Sequence, residues 1–174
     1  ENGLVLCSTR LAIQDLSNYG NQPMHSKSGR YTIVFNGEIY NFKNLKDKFL
    51  ENQKTLSNSD TEILLLLIEK LGLEETINKI EGMFGFALWD HKKKKLFLFR
   101  DRFGEKPLYY GWSNNKFVFA SELNSIVSLS FFNNEINKES VNLFLKYSFV
   151  PAPFSIFKNI NKLEPGNFLT FDPS

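Results

Sequence analysis

Between residues 84 and 120, four short apolar runs follow one another with only a few polar residues between them. Phe84–Asp90 and Leu96–Arg100 are joined through His91 and Lys92–Lys95. Leu108–Trp112 and Lys116–Ala120 are joined through Ser113-Asn114-Asn115. A parallel pair of strands needs a crossover of about a dozen residues or more. Connections this short allow only antiparallel hairpins. An alternating parallel βαβ architecture therefore fits less well, because the middle strands have no helices between them.

The flanking patterns supply the other layers. Arg30–Ile39 mixes Tyr, Thr, Ile, Val and Phe and reads as a strand. Gly3–Cys7 reads as a short buried strand, and Asn167–Asp172 as a closing one. Asn41–Leu50 places Leu45, Phe49 and Leu50 on one helical face. Ser59-x-x-Glu62 matches a capping box ahead of an apolar run, and Gly72 marks a stop after Leu71. That helix is apolar nearly all round at first, which predicts packing on both sides. Shorter helices are predicted near Leu73–Ile80, Glu122–Leu129 and Lys138–Tyr147, before Pro151 and Pro153 break the chain. Strands, helices, strands, helices and a strand in that order predict α+β layers, with helices covering at least one sheet.

Composition narrows the function classes. The chain has 174 residues, 42% of them hydrophobic and 18 of them Phe, so it can bury a sizeable core as one domain or a tight pair. A formal net charge of +2 gives no strong field to draw nucleic acid or an anionic surface, so neither partner is expected. The longest apolar run, Ile63–Ile68, falls far short of the roughly 20 residues of a membrane span. No secretory signal is visible, and a single cysteine forms no internal disulfide; both point to a reducing, cytoplasmic setting.

Individual residues carry only weak signals. Asn36-Gly37-Glu38 follows an apolar run. A side-chain amide beside a glycine N–H could donate to a developing oxyanion, while Asn-Gly alone more often marks a turn. Asp60 reads first as a helix-terminal acid and second as a carboxylate for a ligand amine. Arg10 could fork onto a carboxylate or make a surface ion pair. Cys7 reads as an inert residue of a buried strand. His25 and His91 do not lie near it in sequence. The lysines Lys92–Lys95 read as a solvated turn. No Cys/His cluster has metal-ligand spacing, and no phosphate-binding glycine motif is present.

Order and spacing say more than any single signal. Arg10-Leu11-Ala12-Ile13-Gln14-Asp15-Leu16-Ser17, Gly20-Asn21-Gln22-Pro23, Val34-Phe35-Asn36-Gly37-Glu38-Ile39-Tyr40-Asn41 and Ser59-Asp60-Thr61-Glu62 follow in turn. Glu81-Gly82-Met83-Phe84-Gly85-Phe86-Ala87, Arg100-Asp101-Arg102-Phe103-Gly104 and Lys106-Pro107-Leu108-Tyr109-Tyr110 complete the series. Together they resemble the class II glutamine amidotransferase domain of glutamine-hydrolysing asparagine synthetases. Phe149–Pro153 through Lys162–Gly166 resembles the segment leading, from about residue 149, towards the synthetase domain.

The resemblance implies an N-terminal-nucleophile hydrolase fold, with two antiparallel sheets stacked between helical layers. It also implies a reaction: an N-terminal Cys, with its own α-amine as base, attacks the amide of L-glutamine and releases ammonia. By the resemblance, Arg10 holds the glutamine carboxylate, and the backbone of Leu11, Ala12, Ile13 and Gln14 lines the same side. Asn36 and Gly37 form the oxyanion hole, and Glu38 and Asp60 receive the α-ammonium. No cofactor belongs to this domain. ATP and Mg are expected only in a synthetase domain of the same parent chain, which is absent from these 174 residues. A homodimer is among the assemblies the resemblance allows.

The sequence also departs from the family pattern. Residue 1 is Glu1, and the opening Cys-Gly strand has no counterpart, so residues 1–174 are expected to be an N-terminally incomplete domain without its nucleophile. Cys7, close to Arg10, does not occupy the nucleophile's place, and Ser8-Thr9 stands where relatives often have His and Arg. Two alternatives stay open: a non-catalytic glutamine-binding or scaffold module of the same fold, or an amidotransferase acting on another acceptor such as a polysaccharide sugar acid.

Overall fold

The computed structural model describes residues 3–9, 15, 17–51 and 53–173. The element order is β1 (Met24–His25), β2 (Tyr31–Ile39), α1 (Phe42–Phe49), α2 (Asp60–Leu71), α3 (Leu73–Lys79), β3 (Gly82–Asp90) and β4 (Lys95–Arg100). It continues with β5 (Tyr109–Ser113), β6 (Lys116–Ala120), α4 (Leu123–Val127), α5 (Lys138–Tyr147), β7 (Ile160–Lys162) and β8 (Phe168–Phe171). One sheet has the strand order β1-β2-β3-β4-β8 and the other β6-β5-β7. The chain falls into two compact units, Glu1–Leu98 with Thr170–Ser174, and Phe99–Leu169.

In the first unit, β2 and β3 pair antiparallel along their whole length, from Tyr31 opposite Asp90 to Ile39 opposite Gly82. Phe84–Asp90 is buried without alternation, as in a strand covered on both faces. On one face of the pair, the rings of Phe35, Phe84 and Phe86 pack with centroids 5.7 to 6.4 Å apart. Helix α2 packs against β1 and β2, with α1 and α3 against α2. Asp60 through Ile68 are all buried, as the apolar run predicts. At the far end of the ladder, Arg30 Nη2 donates to Asp90 Oδ2 at 2.8 Å. Asp90 Oδ1 accepts the N–H groups of Lys92 and Lys93 and shapes the lysine turn. Burial raises the Asp90 carboxyl, but these hydrogen bonds outweigh it and hold the group below its ordinary range.

In the second unit, the β5–β6 turn places Asn114 and Asn115 at positive φ, a conformation that asparagine tolerates in two-residue hairpins. Strand β7 pairs with the other edge of β5. Val118, Ile126 and Ile160 form the buried centre, with Phe131, Phe132 and Phe157 packed around them. Asn137 caps α5, accepting from the N–H groups of Glu139 and Ser140.

Several expectations need correction. Gly3–Cys7 is not a strand, and both Val5 and Cys7 are exposed, because no described strand pairs with this run. The capping box does not close. Ser59 Oγ accepts from Thr61 N–H, and the Ser59 N–H is already taken by Ser57 Oγ. Glu62 turns instead to the loop before the helix and accepts from the N–H groups of Leu56 and Ser57 and from Ser57 Oγ. Strands β1 and β7 have two and three residues and too little pattern to predict.

Candidate active site

Asn36-Gly37 is not a turn; both residues lie inside β2. Along a strand, N–H and C=O groups point alternately to the two neighbours. Even-numbered positions of β2 face β3: the Arg30 carbonyl accepts His91 N–H at 2.8 Å, and Tyr40 N–H donates to the Glu81 carbonyl at 2.7 Å. Odd-numbered positions face the opposite edge, where β1 pairs only as far as Met24 opposite Ile33. Beyond that point two side chains take over. The Gln22 carboxamide accepts Phe35 N–H at 2.6 Å and donates to the Phe35 carbonyl at 3.0 Å. Asp60 Oδ2 accepts Ile39 N–H at 2.9 Å. Gly37 lies between them, so its N–H faces the same edge. Among the described residues, no side chain or loop carbonyl accepts from it.

Gly37 has φ +151°, and a Cβ there would stand 2.1 Å from the Met83 carbonyl oxygen and 2.6 Å from Phe84 Cα. Only glycine lets β3 approach so closely with this backbone. The missing side chain leaves room on the buried face for the Phe84 ring, which stacks on Phe35. On the other face, Asn36 is exposed and Glu38 half-buried. The pleat places these two side chains on a common side.

Asp60 opens α2, with Ser59 as the cap, and is buried. Burial raises its carboxyl above the ordinary value. The N–H groups of Ile39 and Thr61 pull it back down, and the nearby Glu38 charge pushes it up again. The two acids predicted to receive an ammonium therefore lie within electrostatic reach of each other. A cation at this spot would relieve both the burial and the like-charge repulsion.

Arg10, Leu11, Ala12, Ile13 and Gln14 lie outside the described residues. Asp15, which follows them, accepts the N–H groups of Ser17 at 2.6 Å and Asn58 at 2.7 Å. This ties the chain just after that segment to the loop leading into Asp60. His25 and His91 both reach the Thr32 hydroxyl, at 2.9 and 2.7 Å. Among the described residues, no group of His, Cys, Asp and Glu could hold a metal ion, and no helix is long and apolar enough to cross a membrane. The sequence reading missed the part played by Gln22. No local pattern marks it, because its partner, Phe35, lies 13 positions along the chain.

The family model of the glutamine amidotransferase domain matches residues 1–174. The chain belongs to this glutamine amidotransferase domain family. The amidotransferase domain is 42% identical over 179 residues to a Methanocaldococcus jannaschii protein provisionally named a glutamine-hydrolysing asparagine synthetase; the match covers 94% of this chain and 34% of that protein. It is 38% identical over 165 residues to the glutamine-hydrolysing asparagine synthetase 1 of Bacillus subtilis, covering 94% of this chain and 26% of the relative. The chain thus spans between a quarter and about a third of the length of these relatives. Among solved structures, glutamine phosphoribosylpyrophosphate amidotransferase from B. subtilis superposes with a TM-score of 0.61 at 21% identity, over 75% of this chain and 30% of that one. The fold of the amidotransferase domain is accordingly the α+β N-terminal-nucleophile hydrolase type, with antiparallel sheets and helices.

Proposed function

We propose that this domain is the glutamine-binding and oxyanion-stabilising part of the glutaminase of an ATP-dependent, glutamine-hydrolysing asparagine synthetase. The observation that carries the reading is one strand edge. Asn36, Gly37 and Glu38 follow one another in β2, Asp60 holds the N–H of Ile39 at 2.9 Å, and the Glu38 and Asp60 charges feel each other, a pair that suits an α-ammonium. Arg10 supplies the guanidinium for the α-carboxylate, and the backbone of Leu11 to Gln14 borders it. A thiolate from an N-terminal Cys, carried on a segment ahead of these residues, adds to the glutamine amide carbon. The resulting oxyanion accepts from Asn36 Nδ2 and Gly37 N–H, whose hydrogen bonds strengthen as charge develops. Ammonia leaves, a glutamyl thioester remains, and water releases glutamate. The ammonia passes to a synthetase domain of the same polypeptide, where ATP and Mg activate the acceptor aspartate. A cytoplasmic setting fits substrates of this kind.

The test is glutamine-dependent ammonia release by the full-length protein, with asparagine formation measured when ATP, Mg and aspartate are added. Ammonia without asparagine would keep the amidotransferase reading and remove aspartate as acceptor. No ammonia would remove both. In the same assay, Arg10→Lys raises the glutamine KM, because an ammonium cannot reproduce the two-point fork. An unchanged KM would remove Arg10 from the pocket.

A further inference from the structure

We propose that Gln22 is a positioning residue for the oxyanion site, acting through the backbone of Phe35 to hold the Gly37 N–H in place. The inference rests on the reading of Asn36 and Gly37 given above. If the β1–β2 register continued past Met24 opposite Ile33, Gln22 would fall opposite Phe35. Phe35 is the next position of β2 whose N–H and C=O face β1. The register stops at Met24, and β1 does not extend through Pro23 to Gln22. The Gln22 side chain takes its place. A carboxamide carries a donor and an acceptor in one plane, the same pair that a strand peptide presents. Both are used, at 3.0 and 2.6 Å.

The consequence falls two residues further on. Phe35 is pinned by Gln22 and Ile39 by Asp60, so Gly37 is fixed from both sides on the edge where, among the described residues, its own N–H has no strand partner. A regular β-ladder would have consumed that N–H. A bare edge would have left it to fray. A side-chain substitute ends the ladder one step before Gly37 and holds the Phe35 backbone on that edge. Oxyanion donors need such support, because productive geometry must be held within about 0.5 Å.

The experiment measures glutamine hydrolysis by the full-length protein with Gln22→Ala, Gln22→Glu and, as reference, Asn36→Ala. We expect Gln22→Ala to lower kcat about 10-fold while KM stays within about twofold, because the donor is displaced rather than removed. Amide exchange at Phe35 should rise in the same variant. In Gln22→Glu, a carboxylate still accepts Phe35 N–H but repels the Phe35 carbonyl, whereas the protonated acid can do both jobs. Its kcat relative to the parent should therefore recover as pH falls from 7 towards about 5. A merely structural role would give a flat ratio. The inference is overturned if Gln22→Ala keeps kcat within twofold, or if the Gln22→Glu ratio does not change with pH. Should Gln22→Ala fail to fold, the Gln22→Glu ratio decides alone. If Asn36→Ala also leaves kcat unchanged, the oxyanion reading itself has failed. A slow Asn36→Ala beside an unaffected Gln22→Ala removes only the role of Gln22.

Discussion

The Arg100–Gly104 turn and the outer edge of β2 are built from the same kinds of residue, with opposite results. At the turn, Asp101 is fully buried, and its carboxylate accepts the N–H groups of Phe103, Glu105 and Lys106. Arg100 donates to the carbonyls of Lys106, Leu163 and Gly104. Gly104, at φ +68°, leaves space for the guanidinium, which a Cβ would approach to 2.9 Å. Arg100 is buried, and burial lowers its pKa. At the β2 edge, Gln22 and Asp60 claim Phe35 and Ile39 but not the Gly37 N–H between them. A buried charge and a positive-φ glycine therefore do not mark chemistry. What sets the proposed site apart is that, among the described residues, nothing claims the Gly37 N–H beside the buried Asp60 carboxyl.

That contrast can be broken at four places. Gly37→Ala has the largest expected effect. Its Cβ would meet backbone at 2.1 Å, so β2 and β3 must part, at a cost above about 4 kcal/mol that thermal unfolding would register. A small shift in Tm would mean that the strands separate easily there. Next comes Asn36→Ala, which should reduce kcat about 10²–10³-fold. Because Asn36 is exposed, stability should stay within about 0.5 kcal/mol. If KM alone moves, Asn36 is a ground-state contact.

Arg100→Lys probes the other region. A lysine cannot serve three carbonyls in a fixed fork, and a loss of about 2–3 kcal/mol is expected by denaturant unfolding, with the glutamine KM unaltered. A change in KM would join the two regions functionally and spoil the comparison.

The smallest effect belongs to Asp60→Asn. The folded-state carboxyl lies above its unfolded value of 3.8, so the folded protein holds this proton more tightly. The resulting stability is present below the unfolded pKa and is lost as pH rises through the folded one. Asparagine keeps an acceptor for Ile39 N–H without the buried charge, so Tm at pH 7 should be unchanged or higher in the variant. Its glutamine KM should rise about tenfold, equivalent to ~1.4 kcal/mol. In the parent protein, KM should also climb as pH falls through the raised pKa, whereas in the variant this climb should vanish. A variant with unaltered KM would leave Asp60 as a clamp on β2 and nothing more.

Much of the fold was legible because its signals are local. The short links Ser113-Asn114-Asn115 and His91–Lys95 forced hairpins, and Gly72 ended α2 where a stop signal stood. What escaped was decided by partners that the local pattern does not name. Asn36-Gly37 carries a turn signature, yet pairing with Gly85 and Phe84 of β3 draws it into a strand. Glu62 has the spacing of a capping box, yet the loop at Leu56 and Ser57 claims its carboxylate. Leu4, Val5 and Leu6 have the composition of a strand, but without a described partner the run makes no ladder.

By itself, the sequence determined the antiparallel pairing of the middle strands, the helix limits and, through ordered motifs, the family and the identities of the candidate glutamine-binding residues. The tertiary structure decided which polar groups were spent and which were left available. Gln22 reaches Phe35 across 13 positions, and Asp60 reaches Ile39 across 21. Hydrogen-bond satisfaction is settled between groups the chain brings together only on folding, so no local pattern could show that Gly37 would be passed over.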